Sequence, residues 1–416
     1  MSDVIDVSLS MPWNTTKFKY VASMQKGHLP KDTTAMPESE SDIPYLSMEY
    51  LREQTTTPSY VSPQSNLVLA EDGDILLLWD GANAGEFMRA KRGVVSSTAA
   101  RVAPRGVHHD YLFWACKVLE TAIRSETVGM GIPHVNGDFL GNIKLHIPLL
   151  REQQTIADYL DRETAKIDAM IVAKERLLEL LAEKRRALIT HAVTRGLNPN
   201  VILRNSGFPW LGKIPAHWRL VKLKYISQIY YGLSQPTEYK SDGLPFVRAT
   251  NVKQGQLVRG GIVFVDEADL SDTRAVRLRI GDIIVVRSGA YTGDSALVTQ
   301  EWAGSIAGYD MVVRLIGETI PSFVGFAMLC PHILEAQIDP LRIRAAQPHL
   351  NAEELGDVSL LLPPVDEQEA IVASIKYETT KLDALKVTAE WTIGLLKERR
   401  AALISAAVTG KIRTHD

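Results

Sequence analysis

Apolar residues recur along one stretch of the chain at alternating steps of four and three, and that stretch occurs twice. Over Ile147–Arg195 the stripe runs through Leu160, Thr164, Ile167, Ile171, Lys174, Leu178, Leu181, Arg185, Leu188 and Ala192. Over Leu362–Gly410 it runs through Ile375, Thr379, Leu382, Lys386, Ala389, Ile393, Leu396, Arg400, Leu403 and Ala407. A mean step of 3.5 residues marks the seam of a coiled coil, and no proline interrupts either stripe. The spacing predicts two helices, each roughly 60 Å long at the 1.5 Å rise of an α-helix. A helix of that length needs a partner for its stripe, and the other copy is the obvious one. An amphipathic helix packed on its own domain is the plainer alternative.

The copies align without a gap at an offset of 215, with identities that include Glu152/Glu367, Gln153/Gln368, Asp168/Asp383 and Arg185/Arg400. The regions ahead of them repeat less evenly. WNTTKFKYVA (Trp13–Ala22) parallels WRLVKLKYIS (Trp218–Ser227), GDILLLWDGANAG (Gly73–Gly85) parallels GDIIVVRSGAYTG (Gly281–Gly293), and PHVNGDFLG (Pro133–Gly141) parallels PHLNAEELG (Pro348–Gly356). Their offsets step from 205 through 208 to 215, so the globular parts differ by loop insertions while the helices keep one length. This predicts an α+β chain, a pseudo-twofold tandem repeat if the helices pair antiparallel. Its expected segments are a first globular part over 1–146, a first long helix over 147–196, a linker and second globular part over 197–361, and a second long helix over 362–412. The first part reads as β-rich, with Tyr45–Leu51, Leu67–Ala70 and Asp74–Trp79, then a helical stretch over His109–Glu126. Gly196–Trp218 is rich in Gly, Pro and Asn and reads as loop.

At 416 residues, 45% hydrophobic and 23% charged, the chain can bury full cores. No apolar run approaches a membrane span, and the first twenty residues carry early acids rather than the apolar core of a secretory signal. Two cysteines, Cys116 and Cys330, cannot build a structural zinc site. A cytoplasmic protein is expected. The net charge of −3 means that a nucleic-acid role needs clustered cations or a partner supplying phosphate attraction.

A search for catalytic patterns finds no GxxxxGK[ST], HExxH, GxSxG or CxxC. Gly129-Met130-Gly131 lacks a third glycine, Glu238-Tyr239-Lys240 lacks an upstream acid, and His108-His109 has no companion ligands and reads as a loop or helix-cap pair. The expectation is a non-catalytic chain with no cofactor and no metal.

What remains is a set of polar stretches where strands should end. Arginine matches guanine edges bidentately, Asn matches adenine, and Ser, Thr and Lys suit phosphates. The candidates are Asp80, Asn83, Lys91, Arg92, Arg101 and Arg105 in the first half, and Arg248, Asn251, Arg287, Ser288, Thr292, Arg342 and Arg344 in the second. The plainer reading is an ordinary loop surface with turn glycines. In the alignment Arg287 meets Trp79, Ser288 meets Asp80 and Arg248 meets Ser47. One scaffold with different tips would read two different sequences.

The whole chain resembles the DNA-specificity subunits of type I restriction–modification systems. The stretches SGFPWLGKIPAHWRLVKLKY, LNAEELGDVSLLLPPVDEQEAI and KIDAMI…KRRALITHAVTRG carry the resemblance. It implies two target-recognition domains, each reading half of a bipartite site in double-stranded DNA. It further implies that the paired helices set the gap and dock two DNA methyltransferase subunits, that a restriction/translocase subunit joins them, and that the recognition domains hold no catalytic centre. The first half departs by lacking the SGFPWLG opening. The rival from another class is a helical-rod scaffold with two protein- or peptide-binding domains.

Overall fold

The computed structural model describes residues 13–129, 131–234, 238–270, 275–342 and 348–412. The chain forms two compact units. One is built from residues up to Glu175 together with those from Glu390 onward, and the other runs from Arg176 to Ala389.

In the first unit, strands β1 (Ala22–Lys26), β2 (Ile75–Leu78), β3 (Phe87–Arg89) and β4 (Ala99–Pro104) form an antiparallel sheet in the order β1-β4-β2-β3. Ile75 and Leu77 enter the core formed with helix α1 (His109–Ser125), while Leu76 and Leu78 enter a second cluster. Burial on both faces explains why this strand reads as an unbroken apolar run rather than an alternating one. A smaller sheet joins Ser59–Val61, Ile43–Leu46, Gly93–Val95 and Leu69–Ala70. The strand expected over Tyr45–Leu51 stops at Leu46. Ser47 Oγ accepts from the Tyr50 N–H at 3.2 Å and caps a one-turn helix over Met48–Leu51, the alternative that serine offers the backbone.

The second unit repeats the plan. Strands β5 (Ser227–Tyr231), β6 (Ile283–Val285), β7 (Ser295–Leu297) and β8 (Met311–Leu315) pair in the order β5-β8-β6-β7, with Ile283 and Val285 in one cluster and Ile284 and Val286 in another. In each unit a two-stranded ladder brings the two ends of the globular part together: Asn14–Lys17 with Lys144–Ile147, and Arg219–Lys222 with Ser359–Leu362. The linker is not all loop. Leu203–Asn205 pairs antiparallel with Lys213–Pro215, Ile214 is fully buried, and the Arg204 guanidinium donates to the Ala216 and Trp218 carbonyls. Three-residue strands are too short to leave a period in the sequence.

The long helices are α2 (Leu150–Arg195) and, after a short helix α3 (Pro321–Met328), α4 (Val365–Val408). Within each unit they pair antiparallel. In the first, Ile156, Ala157 and Leu160 of α2 share a core with Ile404, Ala407 and Val408 of α4, and Arg400 Nε meets Asp168 at 2.8 Å. In the second, Ile371, Val372 and Ile375 share a core with Ile189, Ala192 and Val193, and Arg185 Nη1 meets Asp383 at 2.6 Å. Leu160, Ile167, Ile171, Leu181, Ile375, Leu382 and Ile393 are buried. Leu178, Leu188, Leu396 and Leu403 are only half-buried. Beside two of them, Ile189 and Ile404 take the deeper positions because there the helix also meets the globular core.

Other repeated identities have equally local reasons. Gln153 and Gln368 are each 2% exposed. Gln153 Oε1 accepts from the His108 N–H at 2.7 Å and its Nε2 donates to the Pro148 carbonyl at 2.8 Å. Gln368 makes the same two bonds, from the Ile320 N–H and to the Pro363 carbonyl, both at 2.9 Å. His108 and Ile320 precede α1 and α3 without any side-chain cap, so each glutamine satisfies a buried helix-start amide. Each long helix ends on a glycine at positive φ, Gly196 or Gly410, covered by a tryptophan; a Cβ there would stand 3.2 Å from Trp218 or 3.3 Å from Trp13.

Candidate nucleic-acid interface

At the end of β2 the chain enters the loop Trp79–Gly85, and after β6 the matching loop Arg287–Gly293. Their backbones make equivalent bonds. Gly81 N–H donates to the Pro133 carbonyl and Gly289 N–H to that of Pro348, while the Gly85 and Gly293 amides close back on Leu78 and Val286. The repeated Pro-His segment lies along each loop, with Asp80 bridged to His134 and Ser288 bridged to His349.

The side chains on this shared frame differ. In the first unit Asp80 accepts from Lys26 Nζ at 2.8 Å and contacts His134 Nδ1 at 2.6 Å, and the Lys26 ammonium stands 6.0 Å from the Trp79 ring centre. Burial opposes the charged Asp80 carboxylate, but the Lys26 and His134 hydrogen bonds outweigh it and hold the carboxyl below its ordinary range. In the second unit the Arg287 guanidinium stands over the rings of both Tyr231 and Tyr309, 4.5 and 4.4 Å from their centres. Its Nη2 is 3.2 Å from His349 Nε2, and its backbone N–H donates to Asp310 Oδ1. Burial pushes the Asp310 carboxyl up to about 6 against the pull of that hydrogen bond and of the arginine's charge.

Several candidates are engaged within the fold. Asn251 is fully buried: its Oδ1 accepts from the Arg248 N–H and its Nδ2 donates to the Val258 and Gly260 carbonyls. It holds its own loop together and has no edge left for adenine. Thr292 is buried too, its hydroxyl donating to the Gly289 carbonyl. Arg101 is bound to Asp74 at 2.8 Å across the sheet, and Asp80 is engaged by Lys26 and His134 as described. Lys91 is held by Glu53 and lies over Tyr50. Arg342 is held by Asp339 and donates to the Thr292 carbonyl.

Arg248 donates to the Gly261 carbonyl and stands over Tyr239, while Ser288 is half-buried beside His349. Asn83, Arg92 and Arg105 are exposed. Arg344 lies outside the described residues. Thus Arg287, Ser288, Thr292 and Arg342 gather about one loop, and Arg248 and Asn251 about another. The tyrosines, Lys26 and the two histidines escaped sequence reasoning; the repeated Pro-His dipeptide was the one signal that could have pointed to the histidines.

One α+β scaffold thus occurs in tandem, with different side chains on the same loop. Residues 11–179 match the family model of the Type I restriction modification DNA specificity domain, and the curated relatives that the chain matches over most of its length are specificity subunits of type I restriction enzymes. It is 28% identical over 383 residues to the type I restriction enzyme MjaVIII specificity subunit of Methanocaldococcus jannaschii, covering 90% of this chain and 87% of that one. It is 24% identical to the EcoBI specificity subunit of Escherichia coli, over 98% of this chain and 87% of the relative. Among solved structures, a chain from work on complex assembly and conformational transition of the type I R-M system superposes with a TM-score of 0.72 at 15% identity, over 98% of this chain and all of that one. The HsdS subunit from Thermoanaerobacter tengcongensis gives 0.50 at 16% identity, over 98% and 99%. Among the described residues no helix is long and apolar enough to cross a membrane.

Proposed function

We propose that each globular part reads one half of a bipartite double-stranded DNA site and that the long helices set the gap between the halves. On this reading the helices also carry two DNA methyltransferase subunits, a restriction/translocase subunit joins the assembly, and the chain contributes no catalytic group of its own. The observation that carries the reading is the matched pair of loops: one backbone bears Trp79 and Asp80, both beside Lys26, in the first unit, and Ser288 and Arg287, the latter beside Tyr231, in the second. A scaffold that bound one peptide twice would have no use for that divergence. The net charge of −3 leaves much of the phosphate attraction to the partner subunits.

The test is methylation mapping with the full chain and its methyltransferase subunits. Replacing the second globular part by that of a relative should change one half-site and leave the other and the gap alone. If both halves change together, the two readers are not independent. Partner docking is separately testable, because Trp391 is 66% exposed on α4 and buried tryptophans dominate protein interfaces. Trp391→Ala should weaken methyltransferase binding by roughly tenfold or more; unchanged affinity in a titration would place the docking surface elsewhere.

A further inference from the structure

We infer that Arg287 reads a guanine in the half-site contacted by the second globular part, an inference that rests on the DNA-reading function proposed above. Most well-placed arginines of this unit are neutralised within it: Arg314 by Asp282, Arg259 by Glu301, Arg277 by Glu267 and Arg342 by Asp339. Among the described residues the Arg287 guanidinium forms no ion pair with a carboxylate: Asp310 feels its charge but takes only its backbone N–H, and the hydrogen-bond partner of the side chain is His349 Nε2. Among those residues its Nε is buried without a partner, a cost that an arginine serving only to brace the fold would relieve with an acceptor.

Two tyrosine rings instead lie against the group. Tyr231 and Tyr309 are 43% and 49% exposed, so this corner is open to a ligand. A planar fork with unused donors, fixed before binding, fits the adjacent N7 and O6 acceptors on the major-groove edge of guanine. Adenine sets an N6 donor against it, and thymine a methyl. Stacking reduces the rotamer freedom lost on contact. A phosphate would also accept from the fork, but it carries no sequence information, and the experiment separates the two. The first unit has Trp79 at the matching position, and its nearby cation, Lys26, is committed to Asp80, so no such fork is present there.

The experiment maps methylated sites for the full chain with its methyltransferase subunits, as wild type, Arg287→Lys and Arg287→Gln. The wild-type half-site assigned to the second part should hold an invariant G·C pair. Both variants should lose discrimination at that one position by roughly 10- to 100-fold, with the other half-site and the gap unchanged. Discrimination retained in either variant overturns the inference. So does an equal loss at every sequence, which marks a phosphate contact, or a wild-type half-site without G·C. If Arg287→Gln abolishes methylation, Arg287→Lys decides, because it keeps the charge and the intact first half-site reports a folded complex. A wild type that yields no bipartite site sinks the underlying DNA-reading function instead.

Discussion

Lys26 stands over the Trp79 ring in the first unit, and Arg287 stands over Tyr231 in the second. Lys26 and Tyr231 end the matching edge strands β1 and β5, while Trp79 and Arg287 follow the matching strands β2 and β6. Cation and aromatic have therefore changed places on one frame. What surrounds them decides their chemistry. Asp80, itself in contact with His134, pairs with the lysine, whereas Ser288, the residue in place of Asp80, offers no charge and the arginine keeps donors to spare. The backbone bonds of the loop are constant because they involve carbonyls and amides that any sequence supplies. Specificity can then diverge through a few side chains without loss of fold.

The largest expected effect tests whether acid acts on the second unit through its buried titratable groups. His332 is buried with neither ring nitrogen bonded, and burial pushes it down to about 4 from 6.5. The unfolded chain then binds more protons between those values, so this histidine removes stability as pH falls through that window. Asp310, raised to about 6 from 3.8, acts in the opposite sense, because its folded form binds more protons and gains stability as pH falls. At 1.36 kcal/mol per unit, each is worth about 3 kcal/mol and the two largely cancel. Denaturant titrations at pH 7 and pH 4.5 should show His332→Leu gaining relative stability in acid and Asp310→Asn losing it. Parallel curves for the two variants would mean that these groups do not govern the acid response.

A second test asks whether the units are as equivalent as their glutamines suggest. Gln153→Ala and Gln368→Ala each leave a buried amide and a buried carbonyl without a partner, at ~2–3 kcal/mol. Equal losses in chemical denaturation would support the match, and a difference above about 1 kcal/mol would break it.

How much of this was legible in the sequence depends on the range of the interactions. The long helices were, because a 3.5-residue stripe is repeated over many turns and each position reports the same burial. The strand Ile75–Leu78 was, because apolar side chains on both faces leave an unbroken run. The place of Asn251 was not legible: its residue type suits adenine as well as it suits an internal loop cap, and only the fold shows its burial. The exchange of cation and aromatic was invisible, since Lys26 and Trp79 are far apart in the chain and meet only through strand order. The hairpin at Leu203–Pro215 was missed because its strands are too short to show a period.

The third test returns to the paired loops. Asp80→Ala frees Lys26 and His134 from their shared acceptor and should cost ~1–2 kcal/mol. Ser288→Ala at the matching position should stay within about 0.5 kcal/mol, so equal costs would mean the loops are not braced as differently as described.

The smallest effect concerns the equivalent ion pairs on the long helices. Arg400 with Asp168 and Arg185 with Asp383 occupy corresponding places in the repeat and are both substantially solvent-exposed. Charges at such sites are screened by water and lose side-chain freedom on pairing, so each pair should contribute only about 0.5 kcal/mol. Arg400→Met and Arg185→Met retain much of the apolar stem that covers the seam, which separates charge from packing. Both should shift denaturation midpoints slightly and by similar amounts, with the shift shrinking in high salt. A loss above about 2 kcal/mol, which the stem retained by Met could not explain, would show that the guanidinium–carboxylate bonds themselves hold the helices in register. The persistence of both pairs in the repeat would then be a matter of those bonds rather than of packing.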